Sequence, residues 1–175
     1  MGLRWWLASL LFFTSLDYIM AQPQELKLIS GESLSWSSLK GKVVMIVNTA
    51  SKCGFAGQLS ELEELYQRYK EKNFLVIAVP TNDFGQQEPL ADSEIAAFCS
   101  EKFGVSFPIH QKTSIDSSQL LRFLIQNSPA LIKKIFWNFE KFLIDKAGRV
   151  RFHFRSATSP LSKTVTDKVE ALINE

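Results

Sequence analysis

Two runs of consecutive apolar residues, many of them β-branched, occupy positions 42–49 and 73–80. Such runs predict strands that are buried on both faces of a sheet. Apolar positions at helical spacing predict four helices, and a Lys-Ala-Gly turn between two late strands predicts a hairpin. Besides those two strands, the predicted elements are an edge hairpin within 25–39, helices at 57–72, 92–103, 117–126 and 162–174, and hairpin strands at 139–145 and 149–155.

The order of these elements predicts one α/β domain over residues 22–175. Two buried strands joined through a helix, and followed by a hairpin, form a mixed central sheet flanked by helices. This is the architecture of a thioredoxin-like fold, although the order of elements alone does not prove it.

The first 21 residues have the features of an export signal. Arg4 precedes an apolar run at 5–13, and Asp17 then interrupts the apolar character. A membrane-spanning helix needs about 20 apolar residues, so the run fits a cleaved signal peptide better than an anchor. We expect cleavage after Ala21 and a secreted or periplasmic protein, with an uncleaved anchor as the alternative.

Composition excludes several classes of protein. The 20 Lys and Arg residues nearly balance 18 Asp and Glu, so no basic excess indicates nucleic-acid binding. Two cysteines and two histidines are too few for a disulfide-rich scaffold or a typical zinc site. No glycine-rich phosphate-binding motif is present. We therefore expect no cofactor and no metal.

Cys53 is the strongest candidate for chemistry. It follows the first buried strand and precedes the first long helix, at the sheet edge where α/β proteins bind ligands. A helix N-terminus and the neighbouring Lys52 would both favour its thiolate. The alternative is a small buried side chain in a turn.

Two other polar segments are predicted near that edge. The amide-rich segment 81–89 follows the second buried strand, and Trp137-Asn138 precedes the third. Amide and indole N–H groups stabilise a developing anion, which makes both segments candidates for the site. An ordinary polar loop and a core tryptophan beside a turn asparagine are the alternatives.

Cys99 lies 46 positions after Cys53 on the apolar face of a predicted helix. No Cys-x-x-Cys motif exists, which disfavours a dithiol oxidoreductase of the thioredoxin type. Cys99 is then either a buried helix cysteine or half of a structural disulfide. His110 and His153 have no acidic or cysteine neighbour at motif spacing, and we interpret both as ordinary residues.

Three segments together resemble the signatures of the glutathione peroxidase family. They are NTASKCGF at 48–55, PTNDFGQQEP at 80–89 and WNFEKFLID at 137–145, and the resemblance extends from about Leu26 to the C-terminus. The family has a thioredoxin-like fold and reduces hydroperoxides. The resemblance therefore implies a peroxidase that acts in the response to oxidative stress.

The resemblance also implies roles for individual residues. Cys53 matches the peroxidatic position, and Gln87, Trp137 and Asn138 match the other active-site residues. The segment around Cys99 is similar to that of two-cysteine, thioredoxin-dependent members, in which this cysteine resolves the oxidised intermediate. The implied partners are a hydroperoxide and either a thioredoxin-like reductant or glutathione.

Departures from the family pattern carry further expectations. Asp83 stands where glutamine is common, and its charge would raise the pKa of the nearby thiol. The stretch 113–137 is short and resembles members without the insertion used for tetramer assembly, which implies a monomer. The open site would accept lipid hydroperoxides through transient contact with a membrane surface.

Two alternatives to the peroxidase interpretation are a redox sensor or relay and a purely structural Cys53–Cys99 disulfide.

Overall fold

The computed structural model describes residues 22–131 and 133–175, so the predicted signal at 1–21 lies outside the described residues. The elements are β1 (Glu25–Lys27), β2 (Ser33–Ser35), β3 (Val43–Thr49), α1 (Gln58–Tyr69), β4 (Phe74–Pro80), α2 (Asp92–Phe103), α3 (Gln119–Asn127), β5 (Lys141–Ile144), β6 (Val150–Phe154) and α4 (Lys163–Asn174). Short 3-10 turns cover Trp36–Leu39 and Lys70–Lys72.

The central sheet is mixed, as predicted, with the strand order β4-β3-β5-β6. Strands β3 and β4 are parallel, whereas β5 is antiparallel to both β3 and β6. Because Thr49 pairs with Pro80, the two parallel strands end at the same edge. The start of β5 lies at that edge too, since Val47 pairs with Lys141.

The two faces of the sheet bury different helices. Alternate residues of β3 point to opposite faces, so Met45 packs with α1, α2 and α4, while Ile46 packs with α3. Every residue of β3 is buried, which explains its uninterrupted apolar run. The predicted edge hairpin is confirmed as the separate β1–β2 pair.

Differences from the predicted elements are confined to their ends. The helix expected to reach Lys72 ends at Tyr69, and Lys70–Lys72 form a separate 3-10 turn. Asn73 follows with a φ of 58°, a left-handed conformation that ends the helix before β4. Within residues 22–131 and 133–175, no helix is long and apolar enough to cross a bilayer.

Candidate active site

Cys53 lies in a series of turns between β3 and α1, at the edge where the parallel strands end. Its side chain is buried, with 6% of the residue surface exposed. The amide of Lys52 donates to the carbonyl oxygen of Gln87 at 2.9 Å, which joins the Cys53 turn to the 81–89 loop. Helix α1 begins at Gln58, five positions after Cys53. The helix dipole acts mainly on the first turn, and Cys53 lies outside that turn.

Gln87 and Asn138 are brought together across the edge of the sheet. The amide nitrogen of Asn138 donates to Oε1 of Gln87 at 3.1 Å and to the carbonyl of Phe84 at 3.4 Å. Asn138 is fully buried, and its Oδ1 has no hydrogen-bond partner among the described residues. Because Gln87 accepts with its oxygen, both hydrogens of its amide nitrogen remain available to donate to a bound anion.

Trp137 completes this group from the segment before β5. Its ring lies 5.8 Å from that of Phe84 between centroids, tilted by 45°. Gly85 has a φ of 61°, and a side chain there would meet the Trp137 ring and the Gln87 side chain at 3.5–3.6 Å. Trp137 is 40% exposed, so it is not the core tryptophan of the alternative interpretation.

Asn48 is a structural residue of the site that the sequence interpretation missed. Its side-chain nitrogen donates to the carbonyl of Trp137 at 3.1 Å, and its Oδ1 accepts from the amide of Glu140 at 3.0 Å. The available signal was an asparagine at a buried strand position, because buried polar side chains require partners. Asn48 thus fixes the backbone on both sides of Asn138.

A buried carboxylate, Glu88, connects the Cys53 turn with the surroundings of Cys99. Its two oxygens accept from the amide and the hydroxyl of Ser51 at 2.8 and 2.7 Å. Burial raises the pKa of Glu88, against the effect of these hydrogen bonds. Burial, followed by the charge of Glu88, raises the pKa of Cys99 to about 12. Cys99 is therefore held as a neutral thiol at physiological pH.

Both cysteines are free and buried, so this fold contains no Cys53–Cys99 disulfide. Cys99 lies within α2 on its buried side, as predicted from the spacing of apolar residues.

Asp83 lies in the loop after β4 and interacts with the segment that follows α2. Its side chain is exposed and accepts a hydrogen bond from the amide of Ile115 at 3.2 Å. The carboxylate with a clear effect on a cysteine is Glu88, acting on Cys99. In the described parts of the chain, no group of three or more His, Cys, Asp or Glu side chains is placed to bind a metal.

Comparisons with known proteins identify relatives along most of the chain. Residues 23–124 match the family model for glutathione peroxidase. Glutathione peroxidase-like peroxiredoxin 2 of Saccharomyces cerevisiae is 44% identical over 150 residues, covering 83% of this chain and 91% of that protein. The glutathione peroxidase homolog BsaA of Halalkalibacterium halodurans is 43% identical over 151 residues, covering 84% and 95%.

Solved structures of similar proteins support the predicted fold. The crystal structure of Trgpx in its apo form is similar, with a TM-score of 0.69 and 33% identity over 86% of this chain and 93% of that one. A thioredoxin-family thiol:disulfide interchange protein from Chlorobium tepidum has a TM-score of 0.66 at 18% identity, covering 85% and 92%. The second similarity shows the fold alone, and it confirms the predicted thioredoxin-like architecture.

Proposed function

Because this chain belongs to the glutathione peroxidase family and is a thiol peroxidase, we propose that it reduces hydrogen peroxide and organic hydroperoxides through the sulfur of Cys53. The observation that carries this assignment is the Asn138–Gln87 hydrogen bond, formed next to Trp137. The backbone bond from Lys52 to Gln87 ties that group to the Cys53 turn.

In the first half-reaction, the thiolate of Cys53 attacks the distal oxygen of the hydroperoxide. The O–O bond breaks, Cys53 becomes a sulfenic acid, and the alkoxide or hydroxide that leaves takes a proton to give alcohol or water. The Gln87 amide and the Trp137 indole supply N–H donors to the charge that develops. Asn138 keeps the Gln87 oxygen occupied and thereby orients its nitrogen.

In the second half-reaction, the Cys99 thiolate attacks the sulfur of the Cys53 sulfenic acid. A disulfide forms and hydroxide leaves. Because Cys99 is buried within α2, part of this helix unwinds for the two sulfurs to meet. An external dithiol then reduces the disulfide by exchange and is itself oxidised.

We propose a thioredoxin-like dithiol as the reductant, with glutathione as the competing candidate. Relatives named peroxiredoxins and the presence of a second cysteine support a dithiol. In an NADPH-coupled assay with hydrogen peroxide, we expect thioredoxin to sustain turnover at least about tenfold faster than glutathione at equal thiol concentration. Equal or faster turnover with glutathione would exclude a dithiol as the preferred reductant.

We propose that bulky lipid hydroperoxides reach the site through contact with a membrane surface. Leu131 is fully exposed, and Phe136 and Trp137 are also partly exposed apolar side chains. Cationic groups lie over the Phe136 ring, with the Arg155 guanidinium at 3.8 Å and the Lys134 ammonium at 5.6 Å from its centroid. Apolar side chains with flanking cations fit the interface of an anionic bilayer.

The variant Leu131→Ser tests this contact, because Leu131 is fully exposed and lies outside the turn that carries Trp137 and Asn138. With phospholipid hydroperoxide in anionic vesicles as substrate, we expect kcat/KM to fall about tenfold. With hydrogen peroxide it should change by less than about twofold. The same loss with both substrates would refute a membrane role for this surface.

We propose that the protein is a monomer, and the support is the short 113–137 stretch.

We also propose that residues 1–21 direct export, and the support is the pattern of charged and apolar residues in this segment. A mature protein that begins at Gln22 in N-terminal sequencing would agree with export, and retention of Met1 would contradict cleavage. Export implies that the dithiol reductant belongs to the same compartment, because thioredoxin itself is normally cytosolic.

A redox relay is the second candidate function, and the state of Cys99 favours it. A thiol whose pKa is about 12 attacks slowly while it remains folded in α2. The Cys53 sulfenic acid would then persist long enough to react with a thiol of a partner protein. Transfer of the disulfide to a trapped partner faster than turnover with thioredoxin would favour the relay.

A further inference from the structure

A buried polar cluster behind the Trp137 segment has no part in the chemistry described so far. It consists of Glu140, His153 and Ser128, whose side chains are all almost fully buried. Oε2 of Glu140 lies 2.7 Å from Nε2 of His153, and Nδ1 of His153 lies 3.3 Å from Oγ of Ser128. Glu140 is not at motif spacing from His153 along the sequence, because it lies immediately before the adjacent strand β5.

The Glu140 carboxylate closes the turn that carries Trp137 and Asn138. Its Oε1 accepts from the amide of Phe136 at 3.1 Å, so one side chain bridges the first and last residues of the segment 136–140. Phe139 within it has a φ of 65°, a left-handed conformation that costs about 1 kcal/mol or more in a residue other than glycine. Surrounding contacts must therefore impose the shape of this turn.

His153 holds the Glu140 carboxylate in place. In the tautomer that donates from Nε2–H to the carboxylate, Nδ1 is the ring acceptor and takes the hydrogen of the Ser128 hydroxyl. The imidazole ring is stacked on Phe142, with 4.1 Å between centroids and an angle of 14°. The guanidinium of Arg155 lies 3.3 Å from Oε1 of Glu140 and satisfies the carboxylate from the solvent side.

The chain of contacts from Ser128 through His153 to Glu140 is similar to that of a serine hydrolase triad, but Ser128 is not placed as a nucleophile. It is only 2% exposed, and its Oγ already accepts from the amide of Ala130 at 3.2 Å. A substrate has no access to that oxygen. The cluster acts on the segment 136–140 instead.

We propose that Glu140 and His153 are positioning residues that hold Trp137 and Asn138 in the geometry needed for oxidation of Cys53. This inference rests on the proposed function. Displacement of a donor by about 1 Å can cost up to about a hundredfold in rate, so a network that fixes the donors sets the rate without touching the substrate. Asn48 fixes the same backbone from the side of β3, whereas Glu140 and His153 fix it from the side of β6.

The test compares Glu140→Ala, Glu140→Gln and His153→Ala in single-turnover oxidation of Cys53 by hydrogen peroxide. We expect Glu140→Ala to slow oxidation by about tenfold or more, and His153→Ala by about threefold to tenfold. Glu140→Gln should stay within about threefold of the wild type. The oxygen of the introduced amide still accepts from Phe136, and its nitrogen donates to His153, which then donates from Nδ1 to Ser128.

Asp145→Asn is the matched control, because Asp145 is a second buried carboxylate on the same hairpin. It accepts from Arg149 at 2.7 Å and Arg151 at 3.1 Å, at the opposite end of β5. This variant should lose stability but oxidise Cys53 at the wild-type rate per folded molecule. Reduction of the preformed disulfide by a dithiol should be unchanged in every variant.

A Trp137 emission spectrum, obtained by subtracting that of a Trp137→Phe variant, provides a second measurement. The wavelength of its emission maximum should shift in Glu140→Ala and should return to the wild-type value in Glu140→Gln. Wild-type oxidation rates in both Glu140→Ala and His153→Ala would overturn the positioning role. If Glu140→Ala does not fold, His153→Ala and Glu140→Gln decide the question. An unreactive Cys53 in the wild type would instead refute the proposed function.

Discussion

Cys53→Ser should abolish hydroperoxide consumption, with a loss in kcat/KM of roughly a thousandfold or more. A serine hydroxyl is almost entirely protonated at neutral pH, so it attacks a peroxide far more slowly than a thiolate. The hydrogen-bonded pair of Gln87 and Asn138 remains in this variant, but its donors then have no reacting sulfur to serve. The measurement is peroxide loss with excess dithiol, together with trapping of sulfenic acid by a dimedone probe.

The stability of the Cys53→Ser protein separates chemistry from folding. Cys53 is buried, so the introduced hydroxyl should lower the free energy of unfolding by about 1–2 kcal/mol. A loss of that size leaves a typical domain folded. Peroxide consumption that persists in the folded variant would remove Cys53 from the mechanism and transfer the reaction to another group.

The fold was largely predictable because its strands are buried on both faces. The apolar run at 42–49 is typical of a strand buried on both faces, and β3 does occupy an inner position of the sheet. The convergence of Cys53 with the 81–89 loop follows from the parallel pairing of β3 with β4. The position of Trp137 and Asn138 required the additional knowledge that β5 runs antiparallel to β3 and begins at the same edge.

Side-chain pairs from distant parts of the chain were not predictable in the same way. The Ser51–Glu88 and Glu140–His153 contacts join residues on different elements, and no local pattern encodes them. Lys141 is a further example, since it lies fully buried in β5 and donates to the carbonyls of Ser156 and Thr158. Burial lowers the pKa of its ammonium group to about 8. Alternation along a strand identifies which side chains are buried, but not which polar partners they find.

In the proposed mechanism, these buried pairs act on different half-reactions. The network of Asn48, Glu140 and His153 would fix the donors for Cys53 oxidation on one side. Glu88 links the Cys53 turn to the electrostatic environment of Cys99 on the other side. Substitution of Glu140 or His153 should therefore slow oxidation of Cys53 without changing resolution by Cys99, whereas Glu88 contacts the surroundings of both cysteines.

Cys99→Ser should remove turnover with a dithiol while leaving single-turnover oxidation of Cys53 close to the wild-type rate. We expect the thioredoxin-coupled rate to fall by about a hundredfold, because the sulfenic acid then lacks its internal thiol. Unfolding should be easier by about 1–2 kcal/mol in the reduced protein, from the buried hydroxyl alone. A structural disulfide would instead contribute about 4 kcal/mol for a loop of this length, and its loss would leave peroxidase activity intact.

The pH dependence of disulfide formation identifies the state in which Cys99 reacts. Folding raises the pKa of Cys99 from 9.0 to about 12. The contribution of this thiol to the free energy of unfolding is therefore complete below about pH 9 and is lost as the pH rises to about 12. If α2 unwinds first, the exposed thiol regains its ordinary pKa, so the rate should rise with pH and level off near 9. Glu88→Gln should then change that rate by less than about twofold, since the introduced amide can keep both contacts to Ser51. A rate that still rises above pH 10, and is about tenfold faster in Glu88→Gln, would show that Cys99 attacks from its folded position beside Glu88.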